Sequence, residues 1–97
     1  MAIKTIYKYR VPGKIKGKIK RFLQPQMQYG QVMIWAELDS SLPEREFIAT
    51  PIGTGWEIER GDGMFDIMEN GIYCGTVMDD PYVWHVYACE IPNDSEI

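Results

Sequence analysis

The chain is poor in the residues that usually carry chemistry. It has one histidine, His85, and two cysteines, Cys74 and Cys89, in 97 residues. Two cysteines without CxxC spacing make neither a disulfide framework nor a zinc site, so they fit a reducing interior, most readily cytosol. No uncharged apolar run approaches the roughly 18–20 residues of a membrane span. No apolar signal core follows Met1-Ala2-Ile3-Lys4, so secretion is not expected. Internal repeats are missing, as are linkers rich enough in Gly, Pro or Ser to divide the chain, so a single domain is expected. No stretch offers an amphipathic helix of three turns.

The most informative scarcity is of negative charge at the N-terminal end. Residues 1–36 carry Lys4, Lys8, Arg10, Lys14, Lys16, Lys18, Lys20 and Arg21 and no acidic residue. From Glu37 onward there are fourteen acidic residues against Arg45 and Arg60, so the two parts carry +8 and −12. Such a split suits contact with nucleic acid, self-complementary assembly or pairing between strands of one fold.

What is present reads as strands. Ile3–Val11 alternates, with Ile3, Thr5, Tyr7, Tyr9 and Val11 on one face, and Pro12-Gly13 ends it. Lys14–Lys20 alternates lysine with isoleucine or glycine, as an exposed loop or edge strand would. Phe22–Gln28 and Gln31–Leu38 form a hairpin about Tyr29-Gly30. Its register sets Met27 opposite Val32, Pro25 opposite Ile34 and Leu23 opposite Ala36, all on one face. Pro25 has no N–H to donate, so that strand should be an edge or carry a bulge.

Asp39–Pro43 is a loop, with a helical turn begun at Ser41 or Leu42. Arg45–Ile52 is a further strand, with Phe47 and Ala49 opposing Ile48, Thr50 and Ile52. Trp56–Gly71 fits a strand pair, a helical turn or a lid-like loop. Ile72–Cys89 is a second hairpin turning at Asp79–Pro81 and reads as the central packing unit, and Asn93–Ile97 is a frayed polar tail. The expected fold is therefore mostly β. It is an antiparallel sheet of about five to seven strands, closed into a small barrel or sandwich, with at most one or two short helical turns.

The chemistry-bearing positions are few. His85 shares a face with Val83, Tyr87 and Cys89 and lacks a sequence-local carboxylate or nucleophile, so it reads as a pocket wall. The hairpin register separates Cys74 from Cys89 by about 10 Å, too far for a disulfide. Gly53-Thr54-Gly55 has no following Lys-Ser/Thr, so it is not a phosphate loop. With Trp56 it can line a pocket for a planar ligand. Glu57, Glu59, Asp62, Asp66 and Glu69 lack the register of a calcium loop. Lys16, Lys18 and Lys20 fall at period two, a row able to track phosphates beside Arg21.

Taken together, TIYKY at Thr5–Tyr9, GQVMIWAELD at Gly30–Asp39, GTG at Gly53–Gly55, YCGTV at Tyr73–Val77 and YVWHVY at Tyr82–Tyr87 resemble a family of small bacteriophage proteins known as a domain of unknown function. Lys14–Lys20 is more basic than that family's pattern, and Trp56–Gly71 is longer. The resemblance supplies no catalytic residues. It implies a virus-encoded accessory protein made in an infected bacterial cytoplasm.

The expected function is therefore non-enzymatic, with no cofactor, metal or membrane. The protein would bind a host protein or assemble with itself, modulating or inhibiting host defence. The alternative is a binder of a nucleotide-like anion, using Lys16, Lys18, Lys20, Arg21, Gly53, Thr54, Gly55, Trp56 and His85. A nucleic-acid-binding module is third.

Overall fold

Period-two alternation runs through most of the chain, and the strands follow it. The computed structural model describes residues 2–92. The tail expected at 93–97 lies outside them. Eight strands and one helix occur in chain order. They are β1 (Lys4–Val11), β2 (Gly13–Gly17), β3 (Ile19–Phe22), β4 (Gln26–Gln28), β5 (Gln31–Asp39), β6 (Arg45–Gly53), α1 (Gly63–Asn70), β7 (Ile72–Asp79) and β8 (Tyr82–Glu90). All pairings are antiparallel and make two four-stranded sheets. In the β5 sheet, β1 pairs one side of β5, while β3 and β4 share the other. The second sheet, here the β8 sheet, runs β2-β6-β8-β7.

The expectation of a mostly β antiparallel fold holds, and the architecture is a sandwich. The strand count reaches eight because the basic segment is itself two strands. Its isoleucines, Ile15 and Ile19, are among the most deeply buried side chains, while its lysines stay exposed. At Gly17-Lys18 the chain leaves the β8 sheet and enters the β5 sheet. The core lies between the sheets. Val11, Ile19, Val32, Ile34 and Ala36 face Ile15, Phe47, Ala49, Val77, Val86 and Ala88. Each large aliphatic or aromatic side chain so enclosed contributes about 1.5–3 kcal/mol.

Two sequence expectations need correction. The hairpin register holds at Met27↔Val32 and Gln28↔Gln31 but slips beyond Pro25, so that Phe22 and not Leu23 stands opposite Ala36. Pro25 interrupts the strand there. Its missing N–H leaves a gap in the ladder, and the chain resumes one residue out of step. Second, the Ile72–Cys89 hairpin is only half central. β8 lies between β6 and β7, but β7 is an edge strand. Tyr7 pairs with Ala36 and is exposed.

The charge split is absorbed in part within the fold, through three of the eight basic residues of 1–36. Glu37 of β5 meets Lys4 at 3.0 Å and Arg21 at 3.2 Å, Lys16 lies 3.8 Å from Glu44, and Arg45 grips Glu90 at 2.8 Å. The Lys4 hydrogen bond, followed by nearby positive charge, holds the Glu37 carboxyl below the usual range. Arg45 does the same for Glu90, and hydrogen bonds from Ser41 do so for Asp39. Folded pKa values below the unfolded ones mean stability that is present above the ordinary carboxylate pKa of about 4 and lost as pH falls through the folded values. The melting temperature should therefore fall as pH drops from about 5 toward 2, checked by circular dichroism in a pH series. A melting temperature that rises on acidification would contradict these pairings.

Candidate functional site

The site is built at the exit of β6. Gly53 pairs with Trp84, Thr54 N–H donates to the Val83 carbonyl at 3.3 Å, and Trp56 N–H donates back to the Gly53 carbonyl at 3.2 Å. Gly55, at φ +87°, permits this reversal at a conformation side chains disfavour. The turn folds Trp56 onto Gly53, where a Cβ would stand 2.6 Å from the indole. Trp56 meets Trp84 edge to face, with centroids 5.6 Å apart and planes at 79°. Trp84 stacks on Tyr82 at 5.7 Å. The Trp84 indole N–H donates to Asp79 Oδ2 at 3.2 Å. Trp56, Tyr82 and Trp84, with Gly53 and Thr54, enclose a cleft of about 270 Å³.

Alternation turns His85 to the other face of β8. Its Nε2 lies 2.7 Å from Thr54 Oγ1 and its Nδ1 3.0 Å from Thr76 Oγ1, and Thr76 Oγ1 also meets the Tyr73 hydroxyl. Two sequence-distant candidates, His85 and the Gly53–Gly55 turn, are thus joined. The ring sits between two hydroxyls, each able to donate or accept. A hydroxyl at the second nitrogen does not stabilise an imidazolium as a carboxylate does. The arrangement braces the turn against β7.

The basic residues are elsewhere. Lys16 lies on β2 opposite Glu46, while Lys20 and Arg21 lie on β3 in the other sheet. Lys18 reaches the Ser40 carbonyl at 3.4 Å. The single row of lysines expected from period two is therefore broken, because the chain changes sheet at its centre. Thr54 lies eight residue steps beyond Glu46 along β6 and its exit, roughly 25 Å at strand rise. The lysines and the Gly53–Trp56 turn do not form one site.

A second feature escaped sequence reasoning. Asp62 caps α1, its Oδ1 accepting from Met64 N–H at 2.8 Å, and Gly71 N–H closes the helix on the Ile67 carbonyl at 2.9 Å. The Asp62 cap was the available signal, but eight residues are too few to show helical periodicity. Met64 and Ile67 look across a groove of about 500 Å³ to Pro12, Ile48 and Thr50. Phe65 and Met68 flank Trp56 and Ile58 in a smaller hollow of about 300 Å³. The Arg60 guanidinium lies 4.8 Å from the Phe65 ring centre.

The cysteines are free, and Cys74 sits in a bulge between the Tyr73↔Tyr87 and Gly75↔Val86 pairs. Burial against the core pushes the Cys74 thiol up to about 11. At pH 8 a disulfide reagent should therefore react with the half-buried Cys74 far more slowly in the native protein than after unfolding, as timed thiol counting would show. Rapid native labelling of Cys74 would contradict its burial. Among the described residues, no three of His, Cys, Asp and Glu gather in a metal-binding group, and no helix is long and apolar enough to cross a membrane.

The geometry defines a small antiparallel β-sandwich with an aromatic cleft at one strand exit and a short helix over an apolar groove. A family model described as domain of unknown function (DUF7352) matches residues 2–96, and the chain belongs to that family. No curated protein and no solved structure matches it.

Proposed function

We propose that this is a binding protein and not a catalyst. It is a phage-encoded accessory protein acting in the host cytoplasm on a host protein or on a second copy of itself, with modulation of host defence as its role. The phage setting rests on the resemblance of the TIYKY, GQVMIWAELD, GTG and VWHV segments to small phage proteins. The mode of action rests on one observation, the open groove beneath α1. Met64, Phe65, Ile67 and Met68 make this helix apolar, yet none of its residues is fully buried. An apolar, methionine-rich helix beside a groove of about 500 Å³ is a surface that adapts to a partner's side chains.

The test compares the native protein with Ile67→Asp by sedimentation velocity over a wide concentration range and by cross-linking in host lysate. Circular dichroism confirms that both fold. The variant should lose self-association or lose a cross-linked host protein. A native protein that stays monomeric, with a cross-linking pattern unchanged by Ile67→Asp, would sink the proposal.

A further inference from the structure

We infer that the cleft between Trp56 and the Tyr82–Trp84 pair binds an alkylated ammonium group. The group is carried by a small quaternary amine or by a methylated lysine side chain. Three observations carry this, none of which involves the groove under α1. First, the cleft has two aromatic walls nearly at right angles, since Trp56 stands at 79° to Trp84 and Tyr82 stacks on Trp84. Trp56 and Tyr82 are 50% and 59% exposed, so ring surface remains for a ligand. The negative face of each ring attracts a cation, and a quaternary ammonium needs no hydrogen-bond acceptor.

Second, at about 270 Å³ the cleft is small for a drug-sized or nucleoside ligand but has room for a compact head group. Third, the surrounding charge is negative. No charged side chain among the described residues lines the cleft, and the ionisable residues that flank its walls in sequence are the acidic Asp79, Asp80 and Glu57 together with His85, which lies behind Thr54 on the other face of β8. Asp79 is held against the Trp84 indole N–H, so its charge stays fixed beside the ring. The Thr54 hydroxyl is engaged by His85. An anion would find few donors here, and the lysines lie at the far end of β6. The chemistry favours a cation over the nucleotide-like anion that the sequence brought to mind.

The experiment titrates the full chain with choline and with a short peptide carrying trimethyllysine, following tryptophan fluorescence and calorimetry. Two comparison ligands are 3,3-dimethylbutan-1-ol, the neutral carbon isostere of choline, and adenosine monophosphate. At least one cation should bind saturably, with the neutral isostere weaker by roughly tenfold or more. Tighter choline binding would identify a free amine as the ligand, and tighter peptide binding a modified side chain. Trp56→Ala should abolish binding and Asp79→Asn should weaken it several-fold, with far-UV circular dichroism unchanged. Tyr82→Leu, at a more exposed position, serves if Trp56→Ala fails to fold. Four results would overturn the inference. They are no saturable binding of either cation, equal binding of the isostere, tighter binding of the nucleotide, or native affinity in the folded cleft variants.

Discussion

Replacing Phe47 with alanine should remove roughly 3–5 kcal/mol of stability, a large share of the ~5–15 kcal/mol that holds a domain of this size together. Phe47 is 1% exposed and belongs to β6, in the β8 sheet. Its ring meets Phe22 of the β5 sheet edge to face, with centroids 5.0 Å apart and planes at 89°. It stands opposite Ile15 in the ladder, and the Arg45 guanidinium lies 4.8 Å from its centre. One ring therefore bridges both sheets. Denaturant unfolding followed by tryptophan fluorescence measures the loss. A cost below about 1 kcal/mol would mean the sandwich can close over the cavity, contrary to the packing described.

Gly75→Ala should be nearly as damaging, at about 2–4 kcal/mol, for a reason that is mostly steric. Gly75 lies at the β7 bulge with φ +150°, a conformation side chains rarely adopt. A Cβ there would stand 2.6 Å from Pro25 Cδ and 3.1 Å from its Cγ. Pro25 is fully buried in the break between β3 and β4, so the added methyl presses on the opposite sheet. Combining Gly75→Ala with Pro25→Ala should cost less than the two single changes added together, by more than about 0.5 kcal/mol. Strict additivity in thermal or denaturant unfolding would show that the two positions do not meet.

The strands were legible because alternation is a local signal. Ile15 and Ile19 announce their inward face through every second residue, and β8 buries Val86 and Ala88 on one face as its alternation implies. What was not legible is which sheet a strand joins. Lys16 and Lys20 look equivalent in sequence, yet a turn at Gly17-Lys18 sends them to different sheets, and no periodicity records that change of direction. The candidate site was half visible. The Gly53–Trp56 turn and His85 were both singled out, but their hydrogen bond arises from the β6–β8 pairing, across 31 residues. The groove under α1 was missed because its walls come from three separate segments, each unremarkable alone. Aromatic character was visible at Trp56, Tyr82 and Trp84, whereas their mutual angle is a property of the folded turn.

The partition of the β5 sheet has a dynamic consequence. Among the described residues, β1, β3 and β4 each pair within that sheet only with β5. Peeling β1 away leaves β5 bonded to β3 and β4, and lifting either of those leaves it bonded to β1. The outer strands can therefore open separately, while β5 opens fully only when all of them have gone. In native-state hydrogen exchange, the amides of β1, β3 and β4 would report several shallow, independent openings. Those of Val32–Ala36 would divide by alternation, the amides facing β1 exchanging when β1 lifts and the amides facing β3 or β4 exchanging when those strands lift, so protection along β5 reads out which neighbour has opened.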